Sequence, residues 1–107
     1  MSDEETNARI EELRGKRRAR EQSDLAKILS QKEGRRLLWR ILSMSGVFAL
    51  SFSGMDHALT DFNEGKRSVG NLLLRDIPPE IELIMKKEAS SDKLLQTQEL
   101  EEIQNGQ

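Results

Sequence analysis

Leu37, Leu38, Ile41 and Leu42 put four apolar side chains on one face of a 3.6-residue repeat. This stripe constrains the fold more than any other stretch. A helix with one apolar face must bury it, and the sequence offers no second candidate strand nearby to build a sheet against it. The partners must therefore be helices. This helix begins near Gln31, and Gly46 is placed to end it.

The neighbouring segments fit that requirement. Ser23 is positioned to cap a short leading helix carrying Leu25, Ile28 and Leu29. Residues 47–54 read as an ordered loop, with Val47, Phe48, Leu50 and Phe52 folded back as plugs. A longer helix is expected from about Asp56 to Asp76, with Leu59, Phe62, Val69, Leu72, Leu73 and Ile77 on its inner face. Pro78-Pro79 end that helix and open the next, since proline is tolerated in a first turn. Glu80 and Glu82 suit the positive end of the helix dipole, and Ile81, Leu83, Ile84 and Met85 supply core contacts. The fold class expected is all-α: a small bundle of three main helices plus a short leading helix.

Polar arms flank this domain, which spans residues 23–90. In residues 1–22 only Ile10 and Leu13 are anchor-like, so a frayed helix or a disordered arm is expected. Arg14, Lys16, Arg17, Arg18 and Arg20 form a basic arm that can neutralise a few phosphates. It has no aromatic residue to stack on bases, so only weak DNA contact is expected of it. Residues 91–107 are rich in glutamine and glutamate, with Leu94, Leu95, Leu100 and Ile103 as anchors for a tail that is either loose or helical on a partner.

The chain has 107 residues, enough for one domain, and 17 basic against 19 acidic residues give a net charge of -2. That balance argues against a general nucleic-acid coat. There is no cysteine, so disulfides and thiolate metal sites are excluded. No apolar run approaches the ~20 residues of a membrane span. The acidic start, Met1 to Glu5, lacks the apolar core of a secretory signal. The expectation is a soluble protein used inside the cell, or inside a particle assembled there.

Two segments repeat a pattern. Glu33-Gly34-Arg35-Arg36 returns 31 residues later as Glu64-Gly65-Lys66-Arg67. A glycine inside a helix costs about 1 kcal/mol relative to alanine, so a compensating close approach is expected. Both glycines fall on apolar faces, which predicts that the two helices cross at Gly34 and Gly65, with local pairs Glu33–Arg36 and Glu64–Arg67. In the alternative, Arg35, Arg36, Arg40, Lys66 and Arg67 converge on an anion or on a partner's carboxylates. The phosphate-loop pattern GxxxxGK[ST] is missing. Trp39, next to the apolar stripe, leans over the core edge or marks an interface.

Candidate catalytic residues are few. His57 is the only histidine, beside Asp56, and Ser45, Ser51 and Ser53 lack a nucleophile-elbow motif. Asp56, Asp61 and Glu64 read as a solvated helix flank. No enzyme activity, metal or cofactor is expected.

The ordered set of motifs resembles a family of small tailed-bacteriophage proteins typified by an open reading frame of a Bordetella phage. It is carried by Glu33-Gly34-Arg35-Arg36, Leu38-Trp39-Arg40, Gly46-Val47-Phe48 and Ser51-Phe52. It continues through Phe62 to Arg67, Val69-Gly70, Leu73-Leu74, Asp76-Ile77 and Met85-Lys86-Lys87-Glu88. The likeness runs from about Leu25 to Glu88. Lys66 stands where arginine is usual, which keeps the charge and loses the planar fork. The resemblance implies a phage-encoded protein, of a kind often found among virion morphogenesis genes, and implies no catalytic role. The partners expected are other virion proteins in an oligomeric assembly of the head, the portal region or the ejected internal proteins. The location expected is the virion, and the host cytoplasm during assembly. The alternatives are a nucleic-acid-contacting accessory protein and a small host-directed inhibitor.

Overall fold

The computed structural model describes residues 2–48 and 57–106, and within them every element is helical. Helix α1 spans Asp3–Leu29, α2 Lys32–Ser45, α3 His57–Arg75 and α4 Pro79–Asn105. The all-α architecture is as expected, with one change of proportion. The leading helix is not short. It runs unbroken through Ser23 and the whole basic arm, and its cap is Ser2, whose Oγ accepts from the Glu5 amide at 3.2 Å.

The physical reason is that the packed end near Leu29 nucleates the helix, after which each added residue is cheap. Asp3, Glu4 and Glu5 oppose the dipole in the first turn. The i,i+3 and i,i+4 pairs Glu11–Arg14 (3.1 Å) and Glu12–Lys16 (3.4 Å) add a few tenths of a kcal/mol each. The tail is likewise helical without a partner, because α4 continues through Leu94, Leu95, Leu100 and Ile103.

The core is small and centred on α2, which packs against each of the other helices. Leu29, Leu38, Leu42, Ile77 and Met85 are buried together, with Leu25, Trp39, Val47, Leu73, Leu74 and Ile81 packed around them. Leu42 has no exposed surface and Met85 almost none. Gly46 ends α2 in the left-handed region at φ 77°, as the sequence requires there. Pro79 opens α4 directly after Pro78. Val47 and Phe48 fold back on α2 as expected, whereas Leu50 and Phe52 lie outside the described residues.

The inner face of α3 differs in part from the reading above. Leu73 and Ile77 face inward as expected, together with Gly70 and Leu74, whereas Leu59, Phe62, Val69 and Leu72 are exposed. Both sets have helical spacing, and the small residue at 70 permits the closer packing. Residues 3–24 of α1 and 93–105 of α4 are exposed, in a molecule of 76 × 42 × 20 Å. A compact hub thus carries two long helical arms. Among the described residues no helix is long and apolar enough to cross a membrane.

Candidate docking surface

The hub is fastened by one arginine. Arg35 lies in the first turn of α2 and its guanidinium forks onto Glu88 of α4. Nε donates to Oε1 at 2.6 Å and Nη2 to Oε2 at 3.3 Å. Its remaining nitrogen, Nη1, donates to the Leu29 carbonyl at 2.9 Å, one of the acceptors left open at the end of α1. One side chain therefore joins three helices. Arg35 and Glu88 are only 19% and 23% exposed. The Arg35 hydrogen bond holds the Glu88 carboxyl below the usual glutamate range, outweighing desolvation, and the same contact raises Arg35. Both groups are kept charged at neutral pH, which suits a fastening and not a proton carrier. Arg36 adds a longer pair to Asp92 at 3.6 Å. The cavity beside these residues holds about 40 Å³, far below the ~300 Å³ of a small-molecule pocket.

These pairs replace the expected convergence of cations. Arg35 and Arg36 turn to α4, while Lys66 lies over the Phe62 ring at 5.2 Å and Arg67 reaches Glu64 at 4.0 Å on its own helix. Arg40 is exposed. The two repeat glycines do not mark one crossing. At Gly34 an added Cβ would meet the Ile28 carbonyl oxygen and stand 2.8 Å from the Ile28 carbonyl carbon, so this glycine lets α2 approach the end of α1. At Gly65 an added Cβ meets nothing within 4 Å among the described residues. The close contact of α2 with α3 is at Gly70, where a Cβ would clash with Ser45 Oγ and stand 2.9 Å from Ser45 Cβ and 3.0 Å from Val47 Cβ.

Glu88, Asp92 and Gly70 were missed as structural contacts. Glu88 and Asp92 follow Met85 at i+3 and i+7, the same helical face as a core residue, which is a readable signal. Gly70 shares the helical face of Leu74 and Ile77 in the same way.

Trp39 is half-buried and stacks on Phe48 with ring centroids 4.9 Å apart. A second, apolar cleft of about 420 Å³ lies between α1 and the α3–α4 turn, lined in part by Leu25, Ala26, Leu29, Pro78 and Ile81. Ser51, Ser53 and Asp56, and the side chain of His57, lie outside the described residues. Among the described residues no three acidic or histidine side chains gather into a metal-binding set.

The arms carry the rest of the sequence-predicted surface. Arg14, Lys16, Arg17, Arg18 and Arg20 are exposed along α1, beside Ile10 and Leu13. Leu94, Leu95, Leu100 and Ile103 are 55–62% exposed on α4. Large apolar side chains left this open on an otherwise polar helix are candidates for contact with another protein.

A small all-helical hub with two exposed helical arms defines a protein whose recognisable chemistry lies on its surfaces. The chain belongs to the family of Bbp19-like phage proteins, whose sequence profile matches residues 25–87. It is a phage protein. The matched segment covers most of the hub, ending one residue before Glu88, and stops short of both arms. Neither the curated proteins nor the solved structures contain a match to it.

Proposed function

We propose that the chain is a non-enzymatic docking protein of the phage particle, acting in the head, the portal region or among the ejected internal proteins. The observation that supports this best is the exposure of Leu94, Leu95, Leu100 and Ile103 on a helix that projects from the hub. An arm of this kind presents apolar area without first having to fold, so little ordering cost opposes docking. The hub pairs Arg35–Glu88 and Arg36–Asp92 point the same way, because they engage these four charged groups with each other.

Mass spectrometry of purified particles tests the location: a docking component is present in fixed copy number, and a host-directed inhibitor is absent. Replacing the four tail residues with glutamine preserves helix propensity and removes the apolar contact. Incorporation should fall by at least tenfold, and unchanged incorporation would remove this reading. A DNA-contacting role is the second reading, favoured by the exposure of Arg17, Arg18 and Arg20. Changing these three to glutamine should weaken DNA retention and flatten its salt dependence. Retention that is unchanged and indifferent to salt removes that role.

A further inference from the structure

Helix α3 carries a second apolar face that the hub does not use. Phe62, Gly65, Val69 and Leu72 stand at i, i+3, i+7 and i+10, the spacing of helices packed along a shared seam. This stripe lies about half a turn from Gly70, which meets Ser45 of α2, and from Leu74, which packs on the core. Phe62, Val69 and Leu72 are 54–61% exposed. Gly65 sits in the middle of the stripe. A glycine inside a helix is costly, and among the described residues nothing stands within 4 Å of where its Cβ would go. The missing side chain becomes useful once another helix lies on the stripe.

The stripe is complementary to itself. Against an antiparallel copy, Phe62 meets the second copy's Leu72, and Gly65 meets its Val69. Two-fold symmetry repeats both contacts. A parallel pairing would set phenylalanine on phenylalanine and glycine on glycine, one layer overfilled and one empty. The charges agree with the antiparallel register. Asp61 and Arg75 lie two heptads apart on one edge of the stripe. Both are exposed, and among the described residues neither makes an ion pair. In that register Asp61 faces the second copy's Arg75, and Arg75 faces its Asp61. Lys66, which lies over the Phe62 ring, borders the other edge. There the two copies' ammonium groups oppose one another and hold the affinity down. The second copy's α3 begins opposite Ile77, level with the α3–α4 turn, so it does not have to pass α1.

We infer that α3 is the contact between two copies of this chain, packed antiparallel about a two-fold axis. Its 19 residues are about 28 Å long, so the buried surface is at the low end for specific association. The dimer is therefore weak, with a dissociation constant of roughly micromolar order, and dilute protein is monomeric. Neither arm supplies a residue to this contact. The inference does not rest on the docking reading, and association of purified protein tests it separately from particle incorporation.

Sedimentation equilibrium of the full chain should show a monomer passing to a dimer across the micromolar range. Asp61→Arg and Arg75→Asp each turn both ion pairs into repulsions and should raise the dissociation constant about tenfold or more. Circular dichroism should show both variants still helical. An equimolar mixture of the two should dimerise again, since each then offers the charge the other lacks. Orientation is read by cross-linking. The two Ser68 residues flank the axis only in the antiparallel pairing, and the chain has no cysteine of its own. Ser68→Cys should be joined into dimers by a short bismaleimide, and Ser90→Cys, exposed on α4, should not. A parent chain that is monomeric throughout, single variants that associate as the parent does, a mixture that stays monomeric, or equal cross-linking at 68 and 90 would each overturn the inference.

Discussion

Alanine at three glycines separates two arrangements of the helices. Gly65 lies in the interior of α3, and among the described residues nothing stands within 4 Å of where a Cβ would go. Gly65→Ala should therefore gain the propensity difference of about 1 kcal/mol and raise the melting temperature by roughly 4–8 °C. Gly34→Ala has the opposite sign. Its methyl would press on the Ile28 backbone, with both the carbonyl carbon and Cγ2 at 2.8 Å, and a main chain yields less readily than a side-chain tip. Overpacking of this kind costs about 1–3 kcal/mol, and the propensity gain is reduced in a first turn. Gly70→Ala presses on Ser45, whose hydroxyl donates to the Leu42 carbonyl at 2.6 Å, so moving it disturbs a buried hydrogen bond. A net loss of about 0–2 kcal/mol is expected there once the helix gain is subtracted. Trp39 is the single tryptophan and stacks at the core edge, so its fluorescence in urea follows the hub without a contribution from the arms. The expected order of midpoints is Gly65→Ala above the parent, then Gly70→Ala, then Gly34→Ala. If Gly65→Ala fell with Gly34→Ala, the two glycines would share a crossing after all and the packing described for α2 and α3 would be wrong.

Two further outcomes follow from the core and its fastening. Leu42→Ala removes a side chain with no exposed surface and should cost about 2–5 kcal/mol by urea unfolding, whereas Leu100→Ala on the arm should change it by less than ~0.5 kcal/mol. Because the folded Glu88 carboxyl titrates below its unfolded value, its contribution is complete above the unfolded glutamate pKa of about 4.3 and is lost as pH falls through the lower folded value. The gap in urea midpoint between the parent and Glu88→Gln should be open at pH 7 and close in acid, and a gap independent of pH would mean that the pair contributes nothing through its charge.

The helical class and the boundaries at Gly46 and Pro78-Pro79 were legible because each rests on local chemistry: an apolar period, a left-handed terminator, a residue without an amide hydrogen. On the α3 side Leu73 and Ile77 were legible as inward-facing, but Phe62, Val69 and Leu72 were not separable from them, because all five are apolar and periodicity alone could not rank them. The deciding property is the small size of Gly70 opposite Ser45, a relation between two helices that neither segment contains. Arg35 was legible as a cation in need of a partner, but its acid is 53 residues away, and the nearer Glu33 drew the local pairing to Arg36 instead. For the arms, polarity left a frayed helix and loose chain both open. Ser2, the acidic first turn and the nucleated end near Leu29 hold α1 helical although almost nothing packs on it.

The fastening at Arg35 also acts as a pivot. The exposed stretch of α1 from residue 3 to 24 is about 33 Å long at ~1.5 Å per residue. A rotation of roughly 10° where α1 meets α2 therefore swings the far tip by about 6 Å, more than one helical turn. Side-chain adjustments of a fraction of an ångström around the Leu29 carbonyl are magnified into displacements large enough to bring a distant surface into or out of register.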